Sequence, residues 1–281
     1  VQTKEEELEI SEEDQKQRSR ENDTLSRWVS VVHWNGDTHF FGEFLTKLLP
    51  SLFACLDSDP ERASHARLAL SLAAQAKLNQ RQIDRILRDC ENASKNRKGR
   101  IRGGVLPFLQ VLGFSRLFVM DSDRRSKIRN IVITLLGDEQ LEVREAATHT
   151  LVPLIRDAPT EAITETRTLL NLRLQKTKPK SRKKTKSAIS LTTLVERHSA
   201  VLGLSSMVMS SPYSVPTWMP QVLVALTSCI DDPPPISSSA RKLFTEFWRT
   251  HRDEWDDLKH SFNEEELETV SELLISPSYY A

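Results

Sequence analysis

The chain has 281 residues, and its 39 Lys and Arg balance its 39 Asp and Glu, so the formal net charge is zero. This balance argues against general binding to nucleic acids or membrane surfaces, because those partners usually require a basic excess. Three cysteines exclude a disulfide-stapled scaffold and suit a reducing compartment. No apolar run reaches the roughly 18 residues of a membrane span, and no signal peptide is recognisable. Because the chain begins with Val1 rather than Met, we expect a fragment of a longer protein.

The first 23 residues are predicted to form an acidic, disordered arm. Eight acidic and four basic side chains lie between residues 1 and 21, where the large apolar residues are Val1, Leu8 and Ile10. So few apolar side chains cannot bury a core.

From Thr24 onward the apolar residues recur at helical spacing, which predicts an all-α protein. Eight glycines, without a GxGxxG or GxxxxGK[ST] pattern, argue against a Rossmann or P-loop fold. After the apolar stripe of residues 40–53, helices are predicted near 60–74, 80–93, 101–118, 122–136, 140–157, 160–173, 189–209, 216–230, 235–250 and 263–275.

A recurring turn indicates a helical repeat. A leucine-rich helix end, an Asp-containing turn and a helix with small inner residues occur around Asp57, Asp138 and Asp231. The second copy, with Val143 and Arg144 after Asp138, resembles the inner helix of a HEAT repeat, and the 81 residues from Asp57 to Asp138 fit two periods of about 40. We therefore predict a HEAT-like solenoid of antiparallel helix pairs, with repeats over 24–174 and 189–275.

We find no catalytic or metal-binding constellation, and we expect neither enzymatic activity nor a cofactor. The seven histidines lack HExxH spacing, and the three cysteines are isolated. His198 lies on an apolar helix face, which favours a satisfied core histidine over a ligand or base. The Asp pairs at 57/59 and 231/232 could bind a hard cation, but helix-capping turns are the preferred interpretation.

Residues 175–188 are predicted to form a basic loop, because they lack acidic side chains and Pro179 interrupts any helix. A nuclear localisation signal is the preferred interpretation. A solvated insertion or a patch for an acidic partner remains open, although no interleaved aromatics support base stacking. The candidate signal residues are Lys178, Lys180, Arg182, Lys183, Lys184 and Lys186.

The last residues, 276–281, are the most unusual feature of the sequence. Asn263 is predicted to cap a helix whose first turn carries three glutamates and whose inner face carries Leu267, Val270, Leu273 and Leu274. Ser276 and Pro277 end this helix, so Tyr279, Tyr280 and Ala281 follow on a short tether. A hydrophobic residue, a tyrosine and a free terminal carboxylate suit capture in a pocket that contains a lysine.

The sequence resembles the proteasome activator complex subunit 4 family, large single-chain HEAT-repeat activators of the 20S proteasome. The resemblance is strongest over 138–281. The segments that carry it are Asp138–Glu145, Arg197–Leu204, Ser210–Pro220, Arg249–Trp255 and Leu273–Ala281.

This resemblance implies a C-terminal fragment of a dome that caps the 20S proteasome α-ring without ATP. Tyr279, Tyr280 and Ala281 would insert between α subunits, open the gate and promote degradation of peptides and acetylated proteins, including histones. It also implies nuclear and cytoplasmic localisation and a connection to DNA damage and DNA repair. Neither a membrane nor direct nucleic-acid binding is expected.

Two alternatives remain open. The family's C-terminal region is described as bromodomain-like, which implies binding of acetylated histones, but the corresponding stretch Ile155–Thr160 has no Asn to hold an acetyl group. A HEAT-type transport adaptor, indifferent to the C-terminus, is the other alternative.

Overall fold

The computed structural model describes residues 41–178 and 190–274, together with positions 17, 20, 21, 23–25, 27–29 and 31. In these residues all regular secondary structure is helical, which confirms the all-α prediction. The helices of residues 41–274 are α1 (Phe41–Ala54), α2 (Pro60–Ala73), α3 (Gln80–Ser94), α4 (Gly99–Ser115), α5 (Ser122–Leu135), α6 (Leu141–Arg156), α7 (Thr160–Lys176), α8 (Leu191–Met209), α9 (Met219–Thr227), α10 (Ile236–His251), α11 (Trp255–Leu258) and α12 (Glu264–Leu274). No helix in the described ranges is long and apolar enough to cross a membrane.

The chain divides into two compact units, Val1–Met120 and Asp121–Ala281. In the first unit, α1 packs against α2, α3 and α4. The Phe53 and Phe108 rings meet edge to face, with 5.7 Å between their centroids. Asp59 caps α2 by accepting a hydrogen bond from the Arg62 backbone nitrogen, and Pro60 occupies the first turn, as predicted.

In the second unit, α8 lies at the centre and packs against α6, α7, α9 and α10. Its residues from Arg197 to Val208 are all buried. Gly203 permits the close approach of α7, because a Cβ atom at this position would lie 2.6 Å from Cδ2 of Leu170. A helix that is buried over most of its length between flanking helices is the arrangement expected of a HEAT-like stack.

The repeat is visible in two buried arginines that are 42 residues apart. Arg102 Nη1 donates to the carbonyls of Asn96 and Arg97, at 2.9 and 3.0 Å. Arg144 Nη1 donates to the carbonyls of Asp138 and Glu139, at 2.7 and 3.2 Å.

The side chains of Asn96 and Asp138 make the same kind of hydrogen bond, since each accepts from the backbone nitrogen two residues later. The turn before α4 is therefore the local equivalent of the turn before α6. The predicted spacing of about 40 residues is confirmed at this pair.

Three details of the prediction were wrong. The helix predicted over 216–230 is confined to Met219–Thr227, because Pro220 fixes its first turn and Pro233 follows closely. The helix predicted to reach residue 118 ends at Ser115, whose hydroxyl donates to the Leu112 carbonyl. Asp232 does not cap α10 but forms an ion pair with Arg197.

Candidate functional site

The C-terminal helix α12 is a well-capped element at the end of the described chain. Asn263 Oδ1 accepts from the Glu266 backbone nitrogen at 2.8 Å, and Glu266 Oε2 accepts from the Asn263 backbone nitrogen at 3.1 Å. This reciprocal pair is a capping box, which confirms the predicted cap. Val270 and Leu274 are buried on the inner face, and α12 packs against α9 and α10.

An aromatic cluster supports the connection from α10 to α12. The Trp255 ring lies 6.1 Å from Phe247, 5.7 Å from Trp248 and 5.6 Å from Phe262, measured between centroids. Both tryptophans are half-buried. They are therefore packing residues that lie at the edge of the core. Several ring contacts hold the chain that leads into α12, so the start of α12 is fixed in position.

The predicted docking residues Tyr279, Tyr280 and Ala281 lie outside the described residues. The same is true of five of the predicted localisation residues, which are Lys180, Arg182, Lys183, Lys184 and Lys186. Lys178 is described and exposed.

A buried ion pair anchors the end of α7, directly before the basic loop. Arg197 Nη1 donates to the Leu174 carbonyl at 3.2 Å, and its Nε lies 2.5 Å from Asp232 Oδ2. Arg197 Nη2 contacts Cys229 Sγ at 3.4 Å. Burial raises the pKa of the Cys229 thiol, and the Arg197 charge partly opposes this. Sequence reasoning missed this pairing, because the two partners are 35 residues apart.

A groove of about 530 Å³ lies between α6 and α10, with α8 as its floor. This volume lies within the range of small-ligand sites. Its apolar walls are formed by Val152, Pro153, Leu202, Met209 and Leu243. Its ionisable lining residues are Glu145, His149, Lys242 and Glu246.

One hydroxyl in this groove is unpaired. Ser205 lines the groove and is 7% exposed, yet its Oγ is buried and has no hydrogen-bond partner among the described residues. The adjacent Ser206 differs, because its hydroxyl lies within hydrogen-bond distance of the carbonyls of Thr148 and Leu202. A buried hydroxyl without a partner costs free energy that a ligand with a hydrogen-bonding group would recover.

His198 lies beneath the groove wall. It is 1% exposed, and its Nε2 lies 2.9 Å from Oγ of Ser239, which lines the groove. Burial, assisted by the Arg144 charge, lowers the pKa of His198 to about 4. The predicted core position is confirmed. The prediction that both ring nitrogens are hydrogen-bonded holds for Nε2 but was wrong for Nδ1, which is buried without a partner among the described residues.

The described residues contain no group of three or more His, Cys, Asp or Glu that could hold a metal ion. Cys55, Cys90 and Cys229 are free and buried. Burial raises the pKa of Cys90 well above its usual value, which disfavours a nucleophilic thiolate. These thiols therefore have a packing role.

Comparison with known proteins identifies relatives over most of the sequence. A family model described as "Proteasome activator complex subunit 4-like, C-terminal" matches residues 194–281. Proteasome activator complex subunit 4A of Danio rerio is 36% identical over 290 residues, which cover 99% of this chain and 16% of that protein. Proteasome activator complex subunit 4 of Homo sapiens is 37% identical over 291 residues, which cover 97% of this chain and 15% of that protein. The chain thus spans about a sixth of the length of these relatives.

More distant similarities extend to yeast and to solved structures. Proteasome activator BLM10 of Saccharomyces cerevisiae is 30% identical over 183 residues, which cover 63% of this chain and 8% of that protein. The crystal structure of an archaeal HEAT-like repeats protein from Thermococcus onnurineus NA1 has 15% sequence identity and a TM-score of 0.38. It covers 89% of this chain and 96% of that one.

Proposed function

Since this chain belongs to the proteasome activator complex subunit 4 family, of whose members it matches a C-terminal portion, we propose that it is the C-terminal part of an activator that caps the 20S proteasome. The observation that carries the proposal is the family match over residues 194–281, which includes both α12 and the terminal Tyr-Tyr-Ala. The capped helix provides a fixed base for these residues.

The docking residues are Tyr279, Tyr280 and Ala281. The Ala281 carboxylate pairs with a lysine between two α subunits, and the Tyr280 ring fills the pocket with its hydroxyl at a polar edge. The segment biases the gate only through its higher affinity for the open state. A three-residue contact is small, so the rest of the activator supplies interface area and raises the effective concentration of the tail. No ATP is needed, because docking free energy alone drives the change.

The test is competition for the proteasome by a synthetic peptide with the sequence of residues 275–281. We expect the peptide with a free carboxylate to stimulate peptidase activity or to displace the 281-residue chain. Versions with Tyr280→Ala, without Ala281, or with one added residue should do neither. Tyr280→Phe is the matched control, because it keeps the ring. If neither the peptide nor the 281-residue chain binds the proteasome, with or without Tyr280→Ala, the result would favour a transport adaptor indifferent to its C-terminus.

The groove favours acetyl-lysine recognition as a second function. Its apolar walls suit the aliphatic stem of a lysine, and the unpaired Ser205 hydroxyl can donate to a neutral acetyl carbonyl. Such recognition would direct acetylated histones to degradation and would connect the protein to DNA repair. Binding of acetylated and unmodified histone peptides should differ at least fivefold and equalise in Ser205→Ala. Equal binding in the unsubstituted chain would overturn this function.

The basic loop serves as a nuclear localisation signal in this proposal, which places the protein in both nucleus and cytoplasm. Its support is a run of Lys and Arg without acidic residues, preceded by the exposed Lys178. Replacement of Lys183 and Lys184 by alanine in a fluorescent fusion should abolish nuclear accumulation. Replacement of the exposed Lys127 and Arg67 by alanine is the control.

A further inference from the structure

Charge is strongly separated within the first unit. Residues 1–40 contain ten Asp and Glu against five Lys and Arg, whereas residues 41–120 contain seven against thirteen. The two stretches therefore carry net charges of −5 and +6 in a chain whose total is zero. Such asymmetry indicates an electrostatic contact between the two stretches or with a charged partner.

Part of the basic charge of residues 41–120 lies on one face of α3. Arg81, Arg85 and Arg88 follow one another at spacings of four and three residues, so they form one stripe. All three side chains are exposed, and none takes part in an ion pair within the described residues. The opposite face of α3 is buried through Ile83, Ile86, Leu87 and Cys90. We call the three arginines the basic stripe.

The charges around the basic stripe leave it net positive. Exposed cations continue beyond the end of α3 at Lys95, Arg97, Lys98 and Arg100. Two of these cations already form ion pairs, since Lys95 Nζ lies 2.7 Å from Glu91 Oε1 and Lys98 Nζ lies 3.3 Å from Asp57 Oδ2. Asp84 and Asp89 lie on α3 itself and are half-buried at its flanks. Burial raises the pKa of Asp89, and the charges of Arg85 and Arg88 partly oppose this, so two stripe arginines already lie near one carboxylate. With three arginines on this face, the stripe still has positive charge in excess of that carboxylate.

We propose that the acidic segment Glu5–Asp14 of this same chain docks on the basic stripe. The segment holds seven carboxylates in ten residues and no Lys or Arg. Glu5, Glu9 and Glu12 have the same spacing of four and three residues as the stripe. The segment therefore offers more carboxylates than the stripe has guanidinium groups, and each arginine can find an acidic partner in it.

The segment can reach the stripe. α1 begins at Phe41 and packs directly against α3, which is about 22 Å long at 1.5 Å per residue. The described positions between residues 17 and 31 are helical, and the Trp28 ring lies 6.4 Å from the Phe44 ring of α1, measured between centroids, so the chain that leads from the segment into the fold is held against α1. The contact is intramolecular, so a high effective concentration compensates for weak individual pairs. It is also sensitive to ionic strength, because the charges on α3 are exposed.

The test is energy transfer between dyes on the 281-residue chain, attached at Thr3→Cys and at Gln110→Cys. Gln110 is exposed on α4, which packs against α3. We expect the transfer efficiency in 20 mM salt to exceed its value in 1 M salt at least twofold. Arg81→Glu, Arg85→Glu and Arg88→Glu together should lower it to the high-salt value. The matched control makes the same charge change at exposed positions of α1, of α2 and of the turn before α3, with Lys47→Glu, Arg67→Glu and Lys77→Glu. This variant should leave the transfer efficiency unchanged.

A charge swap separates docking from damage to the fold. The salt-dependent energy transfer should be abolished by reversal of three acidic residues alone, with Glu5→Arg, Glu9→Arg and Glu12→Arg. It should return when these reversals are combined with the three charge reversals of the stripe. Equal transfer in the stripe and control variants would overturn the proposal. Binding of a 30-nucleotide single strand that requires the stripe, without salt-dependent transfer in the free chain, would also overturn it and assign the stripe to nucleic acid.

Discussion

Arg197 and Asp232 form a buried ion pair, with 2.5 Å between Nε and Oδ2 and with side chains that are 4% and 8% exposed. The pair connects the central helix α8 to the turn between α9 and α10. Because Arg197 also donates to the Leu174 carbonyl, one guanidinium joins three parts of the second unit. The predicted basic loop begins at residue 175, directly after the carbonyl that Arg197 binds.

Replacement of Asp232 by alanine should strongly destabilise the second unit. It leaves the Arg197 charge buried without its partner, and loss of one member of a buried pair typically costs about 3–5 kcal/mol. The measurement is the free energy of unfolding in urea. Arg249→Ala is the control, since Arg249 pairs with Glu246 at the surface, where removal of a pair costs about 0–1 kcal/mol. A loss below 1 kcal/mol in Asp232→Ala would mean that water solvates the pair.

Ser205 and Ser206 should respond in opposite directions to replacement by alanine. Ser205→Ala removes an unpaired buried hydroxyl and should raise the free energy of unfolding by about 1 kcal/mol. Ser206→Ala removes a hydroxyl with two carbonyls in reach and should lower it by about 1 kcal/mol. Both positions lie on α8, so the gain in helix propensity is the same for each. Destabilisation by Ser205→Ala would indicate that an ordered water already satisfies this hydroxyl.

Local signals made much of the fold predictable. Asp59 and Asn263 cap helices that begin within three residues of them, so their roles follow from neighbouring sequence. The repeat was predicted from Asp57 and Asp138, yet the closer equivalent of Asp138 is Asn96, which has the same backbone partner. An amide and a carboxylate can accept the same hydrogen bond, so a search for Asp alone misses this copy.

The groove was not predictable, because its parts are distant in sequence. Glu145, Ser205 and Lys242 lie on three helices and meet only when α8 packs between α6 and α10. The role of Asp232 was also unpredictable from local sequence. Its sequence neighbourhood resembles a capping turn, while its partner lies one helix pair away. A signal was present at Arg197, since a charged residue in the apolar face of a predicted helix requires a buried partner.

The stability of the second unit should fall between pH 6.5 and pH 4. The pKa of His198 is about 4 in the folded protein, below its usual value of 6.5, so the unfolded state binds more protons in this window. The contribution of neutral His198 is therefore fully present above pH 6.5 and is lost as the pH falls toward 4, by up to about 3 kcal/mol.

His198→Gln should flatten this pH dependence, because glutamine does not titrate. The measurement is the urea midpoint of the unsubstituted and variant chains at pH 7 and pH 4.5. The difference between the two pH values should shrink in His198→Gln even if the variant is less stable at both. His149→Gln is the control, since His149 is exposed. An unchanged pH difference in His198→Gln would show that other groups carry it.

Asn263→Ala should weaken both α12 and proteasome docking. Loss of an N-cap side chain costs about 1 kcal/mol of helix stability, and here it also removes one half of the capping box with Glu266. A frayed helix holds the terminal residues less firmly, so their effective concentration at the pocket falls. We expect the 281-residue chain to bind the 20S proteasome several-fold more weakly, measured as its affinity for proteasome immobilised on a sensor surface. Asn263→Asp keeps an acceptor at the same position and should retain both the helix and the affinity. Unchanged binding by Asn263→Ala, together with a measurable loss of α12 protection in hydrogen exchange, would mean that the tail docks as an independent peptide and that its helical base is irrelevant to the interaction.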